Sequence, residues 1–262
     1  MYGFLFDGEL SDDYGIIMAN LDNEEMTWQT GELSYITSTT PSSDIVHFYT
    51  SKWESQLSCN FSIIKNPCLS SQNMYFTQEE QSAIMRWLVR EDGYKWLQFN
   101  VEEYEDVYFH AKLSLTPYYI GERIAGFKIQ MDTDAPYAFS KLYTKTFTLN
   151  GSNSYEFVDY SDKTGYIYPK MTISPTSNTS SLKIYTGIST DRIMTKIDNV
   201  KSTDTIILDG ENDFVQGVTY LGNFNFKFPV ISNTYTDRKN IITANSGANI
   251  TMEYRLIRMV TV

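Results

Sequence analysis

The sequence predicts an all-β protein of two domains, with one α-helix in the first domain. Three observations lead to this fold class. The 262 residues include 20 Tyr and 15 Phe, and short runs alternate apolar with polar residues as half-buried strands do. Turn residues separate these runs at intervals typical of antiparallel β-sandwiches. The chain is long enough for one large domain or two ordinary ones, each with a proper core.

The single helix is expected at about residues 77–91. Thr77 is placed to cap it, and Glu80 follows three residues later, which is the spacing of a capping box. Four apolar residues then recur on one side of the predicted helix, which gives it a stripe to bury: Ala83, Ile84, Trp87 and Leu88. Gly93 is expected to end the helical segment.

The remaining pattern of the N-terminal domain, placed at residues 1–140, is that of short strands. Alternating runs occupy 14–21, 44–53, 55–65, 95–99, 107–115 and 125–132. Pro136 has no backbone N–H to donate to a neighbouring strand, so it marks a strand edge or an exit from the sheet. A β-rich domain with one helix follows.

The C-terminal domain is placed at residues 141–262 and begins with a transition segment at about 141–166. The Asn-Gly-Ser-Asn stretch of that segment predicts a loop or a hairpin turn. Further strands are expected at 169–175, 181–188, 192–198, 204–210, 214–222, 223–230, 240–247 and 249–260. A period of two with frequent turns predicts an antiparallel sandwich or jelly roll.

Charge is distributed unevenly and bears on possible partners. Residues 1–140 contain 8 Lys and Arg against 21 Asp and Glu, whereas residues 141–262 contain 13 against 11. The acidic first half argues against sequence-specific nucleic-acid binding, which needs clustered cations. It is compatible with a duplex sliding past walls that repel it, although solubility alone explains most of these carboxylates.

No catalytic or metal-binding motif is found, so no enzyme activity, cofactor or metal is predicted. His47 and His110 have no second His or Cys at ligand spacing, and neither a nucleophile elbow nor a phosphate-binding loop is present. Two acidic clusters, at 102–106 and 208–213, are interpreted as solvated turns. A glycoside hydrolase pair or an incidental cation site at these clusters stays open as an alternative.

Carbohydrate binding is the main alternative function, because jelly-roll modules stack sugars on exposed aromatic rings. All four Trp residues lie in the first half, at positions 28, 53, 87 and 96. The second domain has only Tyr and Phe, and most of these alternate with polar residues as core positions do. The missing Trp makes sugar binding less favoured than a structural role.

The N-terminal sequence and the two cysteines give further expectations. MYGFLFDGEL lacks the basic residues and apolar core of a signal peptide, and no apolar run approaches the ~20 residues that span a bilayer. A soluble protein made in a cytoplasm, without membrane insertion, is therefore expected. Cys59 and Cys68 are interpreted as free thiols, with a disulfide between them as the alternative.

The order of motifs resembles the distal tail proteins of long-tailed bacteriophages. FLFDGELSDDYGIIM at residues 4–18 is similar to the opening turn and Ser-x-x-Tyr-Gly step of that family. The later matches, in order, are the pair Trp87-Leu88, Tyr94 with Leu97, the corner Ala135-Pro136-Tyr137, YPKMTI near 168, IILDGEND near 206 and NFKFPVI near 225. The resemblance covers almost the whole chain.

This resemblance implies a structural component of the virion tail tip, assembled in the host cytoplasm. Its first domain would form a homo-hexameric ring, and its second would be a galectin-like sandwich. Implied partners are the tail-tube protein, the tape-measure protein, a tail-associated hub or tip protein and a receptor-binding protein. The ring would let DNA pass, and we expect an acidic turn to face its lumen: Glu102, Glu103, Glu105 and Asp106.

Overall fold

The computed structural model describes residues 3–22, 24–40, 44–69 and 73–260 of the chain. These residues form two compact units, Met1–Phe139 with Met259–Val262, and Ser140–Arg258. Nearly all regular structure within them is β, and one α-helix is present among the described residues. The predicted all-β class with a single helix is therefore confirmed.

The first unit is built on one large antiparallel sheet. Its strand order is β2-β1-β8-β9-β10-β7-β3, and β4 also pairs with β7. The elements of this unit are β1 (Gly3–Phe6), β2 (Glu9–Leu10), β3 (Ile16–Met18), β4 (Thr27–Gln29), β5 (Leu33–Thr39), β6 (Val46–Trp53), β7 (Ser58–Lys65), α1 (Gln78–Leu88), β8 (Lys95–Asn100), β9 (Phe109–Ile120), β10 (Arg123–Thr133) and β11 (Ala138–Phe139). Short 3-10 turns lie at Ser11–Tyr14 and Glu102–Tyr104.

Helix α1 closes the core of this unit with the apolar stripe expected from the sequence. Ile84, Trp87 and Leu88 are buried on it. The Trp87 indole stacks on Phe4 at 5.4 Å and on Tyr14 at 4.2 Å between ring centroids. Its Nε1–H donates to the Phe6 carbonyl at 3.0 Å, so the one polar group of the buried ring has a hydrogen-bond partner.

The capping box of α1 is present, but the helix ends earlier than residue 91. The Thr77 side chain accepts from the Glu80 N–H, and the Glu80 carboxylate accepts from the Thr77 N–H at 2.7 Å. Val89 already has an extended backbone, with φ −91° and ψ 102°, so the helix terminates at Leu88. The β-branched side chain of Val89 favours that conformation.

The second unit contains two antiparallel sheets and a pair of short strands. The strands are β12 (Tyr143–Asn150), β13 (Ser154–Val158), β14 (Gly165–Ile167), β15 (Lys170–Pro175), β16 (Thr179–Ile188), β17 (Asp191–Val200), β18 (Ile206–Asp209), β19 (Phe214–Gln216), β20 (Ile231–Asn233), β21 (Lys239–Ala244), β22 (Gly247–Tyr254) and β23 (Ile257–Arg258). One sheet has the order β12-β22-β15-β18-β19, the other has β13-β21-β16-β17, and β14 pairs with β20.

These two sheets pack face to face as a sandwich. Met171, Ile173, Ile250 and Met252 come from the first sheet, and each is completely buried. They belong to one cluster with apolar side chains of the second sheet, including Leu182, Ile184, Ile197 and Ile242. Alternation along each strand sends one set of side chains into this core and the other set to solvent.

Besides the run 214–222, which is a strand only over Phe214–Gln216, two segments of this unit differ from the sequence prediction. The transition segment 141–166 contains two full strands, β12 and β13, one in each sheet of the sandwich. The run 223–230, predicted as a strand, makes only an isolated bridge at Phe224 and is otherwise irregular. The physical reason for the second difference lies in the backbone at Phe226, described below.

Candidate interaction surfaces

The β5–β6 hairpin of the first unit carries an unusual amount of exposed apolar surface. Among the described strands, β5 and β6 pair only with each other. Six large apolar side chains on the two strands are more than a third exposed: Leu33, Tyr35, Ile36, Val46, Phe48 and Tyr49. Tyr35 is 64% exposed and Tyr49 is 67% exposed. A two-stranded hairpin without a third strand is marginal in water by itself, so this surface needs cover.

Local contacts hold the hairpin in shape at both ends. The Tyr35 and Phe48 rings meet edge to face at 5.9 Å, and Ser38 Oγ lies 2.9 Å from the Tyr49 hydroxyl. At its root, the Ser34 hydroxyl donates to the Glu54 carboxylate at 2.7 Å. The hairpin is thus a formed element that presents apolar side chains.

The acidic turn expected at residues 102–106 lies between β8 and β9. Tyr104, in its middle, packs its ring against Trp28 and Phe99 and so ties the turn to the core. The backbone carbonyl of Glu105 accepts from the Gln98 amide. Glu102, Glu105 and Asp106 are exposed, whereas the side chain of Glu103 lies outside the described part of the structure. Their position in a lumen stays a prediction.

The second acidic cluster, at 208–213, is organised by its own turn. The Asp209 carboxylate accepts from the backbone N–H groups of Glu211 and Asn212, both at 3.2 Å, and from the Asn212 side chain at 2.9 Å. Within the described ranges, no group of three or more His, Cys, Asp or Glu side chains is placed to hold a metal ion. Turn chemistry accounts for this cluster.

The two histidines lie apart from each other in the first unit. His110 Nδ1 lies 2.5 Å from the Asp134 carboxylate, and its ring lies 4.7 Å from that of Trp96. His47 is exposed on β6. The two cysteines are both free thiols, Cys59 buried and Cys68 exposed. Burial raises the pKa of the Cys59 thiol to about 12.

A concave site that the sequence did not predict lies in the second unit. Its volume is about 860 Å³, and we call it the aromatic groove. Five aromatic side chains line it: Tyr166, Tyr168, Phe214, Phe226 and Phe228. Asp213 and Lys227 stand among these rings. Phe214, Phe226, Tyr166 and Tyr168 are each more than two fifths exposed, so their faces are open to a ligand.

The position of Phe226 depends on an unusual backbone conformation. Phe226 has φ +54°, a left-handed conformation that is rare for a bulky residue. The preceding Asn225 is fixed on β17, because its side-chain oxygen accepts from the Lys196 N–H at 3.0 Å and its amide donates to the Met194 carbonyl at 2.8 Å. Phe224 is buried, and Phe226 is 64% exposed. Simple alternation would have put both rings on one face, which is why sequence reasoning missed this residue.

One wall of the groove depends on a glycine. A Cβ at Gly210 would lie 2.7 Å from the Phe228 Cβ and 2.9 Å from Cδ1 of Tyr168. Gly210 therefore allows these two aromatic side chains to approach the turn after β18 closely. The turn continues to Asp213, which also has a left-handed backbone, with φ +50°.

A smaller cavity of about 360 Å³ shares Tyr166 with the aromatic groove. The Tyr166 hydroxyl donates to the Asp191 carboxylate, and this bond raises the pKa of Tyr166. Asn233 also lines the cavity; its Nδ2 donates to Asp159 and to the Lys163 carbonyl, while its buried Oδ1 has no partner among the described residues. Tyr235, 87% exposed, also lines this cavity.

Comparison with protein families and structures identifies relatives of both units. Residues 1–135 match a family described as phage tail protein N-terminal domain, and residues 137–254 match one described as phage tail C-terminal domain. No curated protein sequence matches the chain significantly. Among the described residues, no helix is long and apolar enough to cross a membrane.

Among solved structures, the chain is similar to the Dit protein of phage SPP1. The TM-score is 0.63 at 9% sequence identity, and the alignment covers 98% of this chain and 99% of the SPP1 protein. That protein is described as a paradigm of the hub adsorption apparatus in phages that infect Gram-positive bacteria. At this identity the match shows a shared fold, and it confirms the predicted distal tail protein fold across both units.

Proposed function

This chain belongs to the family of phage tail proteins, and we propose that it is the distal tail protein of its tail. In this role six copies form a hub ring that joins the tail tube to the tip or baseplate and lets DNA pass through its centre. The role is structural and needs no catalytic group. A fold shared with the SPP1 hub protein over 98% of the chain supports the proposal.

The observation that carries the ring is the exposed β5–β6 hairpin. A hairpin whose apolar side chains stay exposed among the described residues of its own chain is stabilised when a neighbouring copy covers them. A head-to-tail contact of this kind, repeated around an axis, closes into a ring. Tyr side chains suit such a contact, since they bury large area while their hydroxyls stay hydrogen-bonded.

The proposed partners follow from the position of such a ring. The tail-tube and tape-measure proteins would contact it on one side, and the tail-associated hub or tip protein on the other. A receptor-binding protein would attach through the second domain. The acidic excess of the first domain keeps DNA from adhering. We assign the acidic turn of Glu102, Glu103, Glu105 and Asp106 to the lumen.

The ring is tested by the mass of the purified protein in solution. Light scattering should give a species near six times 30.2 kDa, and negative-stain images should show rings. Tyr35→Lys should shift this species to monomer, because it puts a charge into the covered surface without touching the core. Tyr160→Lys is the matched control, since Tyr160 is also 64% exposed but lies in the second unit.

Each outcome has a definite meaning. A ring that Tyr35→Lys breaks and Tyr160→Lys preserves would support both the hub and its interface. A ring that survives Tyr35→Lys would assign the interface to another surface. If neither the purified protein nor tails isolated from particles show six copies of the chain, the hub proposal fails.

A further inference from the structure

We propose that the aromatic groove of the second unit binds a neutral glycan chain. This proposal goes beyond the hub function and does not depend on it. The groove has the size and the composition of a ligand site, since it is mostly apolar with a few polar groups. Pyranose sugars match this chemistry, because their C–H faces lie on aromatic rings while their hydroxyl groups meet polar side chains.

Backbone strain at the groove favours a ligand over incidental exposure. Phe226 keeps a left-handed backbone that no other bulky residue adopts among the described residues. The bonds from Asn225 to β17 hold it there, and the result is a ring that is 64% exposed. Such strain persists when surrounding contacts impose it, and it concentrates at ligand clamps. The Phe226 ring contacts the buried Phe224 ring at 5.4 Å between centroids, and most of its remaining surface is open to a ligand.

Polar groups around the rings favour a neutral sugar over a charged ligand. Asp213 and Lys227 have opposite charges, so they give the groove no net field for an anion or a cation. The carboxylate of Asp191 is occupied by the Tyr166 hydroxyl. These groups can still bind a sugar: a carboxylate accepts hydrogen bonds from sugar hydroxyls, an ammonium donates to them, and a phenol does both.

The adjoining cavity indicates that the ligand is a chain of several sugars. It shares Tyr166 with the groove, so the two concave surfaces adjoin at that residue. Polar side chains also line it, among them Asn233 and Thr234, and such groups can form hydrogen bonds with the hydroxyl groups of a sugar. Tyr235 adds a further exposed ring to this cavity.

Saturation-transfer NMR on the full chain tests the proposal with three probes, which are the hexasaccharides of cellulose, maltose and chitin type. At least one probe should receive saturation from the protein. Phe226→Asn should weaken that probe's binding about tenfold, as loss of one anchoring ring does. Tyr160→Asn, a substitution at an equally exposed ring outside the groove, should leave binding unchanged.

Thermal unfolding of the same variants separates a ligand site from a structural role. Asn tolerates the left-handed backbone better than Phe, so Phe226→Asn should raise the unfolding midpoint by about 2–4 °C. If the Phe226 side chain only stabilised the fold, Phe226→Asn would lower the unfolding midpoint instead. The mass of the protein in solution reports on hub assembly, and Phe226→Asn should leave that mass unchanged.

Two results would overturn the glycan site. One is the absence of saturation transfer to all three probes; the other is binding that Phe226→Asn leaves intact. If the probes fail and Phe226→Asn blocks tail assembly in a complementation assay, the groove belongs to an apolar protein partner instead. In each case the ring measurement on Tyr35→Lys stands independently.

Discussion

Replacing Glu80 should destabilise the first unit more than replacing Glu79, the other acidic residue of helix α1. The Glu80 carboxylate accepts from the Thr77 N–H at 2.7 Å and lies 2.7 Å from the Lys65 ammonium. The Lys65 side chain is only 9% exposed and sits 5.6 Å from the centre of the Phe76 ring. Glu80→Ala therefore removes the reciprocal bond of the capping box, from the Thr77 N–H, together with the counter-ion of a nearly buried cation.

The magnitude follows from those two losses. Loss of the reciprocal capping-box bond costs about 1 kcal/mol, the order of one capping interaction. Removing the partner of a fully buried ion costs about 3–5 kcal/mol, and we take about 2 kcal/mol here, since the Glu80 side chain is 42% exposed and solvent screens the pair. We expect about 3 kcal/mol for Glu80→Ala. Glu80→Gln keeps an acceptor for Thr77 and should cost about 2 kcal/mol.

Urea unfolding followed by tryptophan fluorescence measures this cost selectively. All four Trp residues lie in the first unit, at positions 28, 53, 87 and 96, so the signal does not report on the sandwich. Glu79→Ala is the control, because Glu79 is exposed in the same helical turn and loses only its interaction with the helix dipole, about 0.5 kcal/mol. Equal costs for Glu79→Ala and Glu80→Ala would refute the reasoning.

The pH dependence gives a second, independent test of the same pair. Burial by itself would raise the pKa of Glu80, but the hydrogen bonds from Lys65 and Thr77 outweigh it and hold the pKa below its ordinary value of 4.5. When the pKa of a carboxyl group is lower in the folded than in the unfolded protein, the ionised group stabilises the fold. This contribution is complete at pH values above the unfolded-state pKa and is lost as the pH falls through the folded-state pKa. The stability gap between the wild type and Glu80→Gln should stay constant above pH 4.5 and narrow below it.

Three further predictions concern other parts of the chain. Gly217→Ala should lower the unfolding free energy of the second unit by about 3 kcal/mol in calorimetry, because the new Cβ would lie 1.9 Å from the Thr205 carbonyl oxygen at a φ of +81°. Gly151→Ala is the control, since its Cβ would lie 3.3 Å from the nearest carbonyl oxygen at a similar φ of +88°, and it should cost about 1 kcal/mol. Iodoacetamide should label Cys68 alone in the native protein, and labelling of Cys59 before unfolding would contradict its burial. Replacing Glu102, Glu105 and Asp106 with lysine should leave ring assembly intact and slow DNA ejection. Unchanged ejection kinetics would exclude the assignment of this turn to the lumen.

The helix could be predicted almost completely from its sequence because its signals are local. Thr77 and Glu80 form the hydrogen bonds of the capping box within one helical turn. The apolar stripe of Ile84, Trp87 and Leu88 depends only on the helical period. What the sequence could not supply was the distant partner of Glu80, since Lys65 comes from β7. Pairings of that kind depend on sheet register, which no local pattern specifies.

The strands of the transition segment were missed because their alternation involves few apolar residues. Along β12 only Leu149 is buried, Phe147 is half-buried, and the intervening Thr and Lys residues face solvent. The strand exists because β22 pairs with it over eight residues, from Tyr143 opposite Tyr254 to Asn150 opposite Gly247. Edge strands with one wet face depend more on such pairing than on their own hydrophobicity.

The aromatic groove shows why candidate binding sites are the hardest part to predict. The run Phe224, Phe226 and Phe228 has the period of a strand, and a strand would send all three rings into the core. Asn225 prevents this, because its side chain takes the backbone bonds of β17 that a paired strand would otherwise make. The chain then turns through a left-handed residue and exposes Phe226. Local pattern and structure disagree at this place because the backbone does not stay extended, and such disagreements concentrate at functional or strained positions.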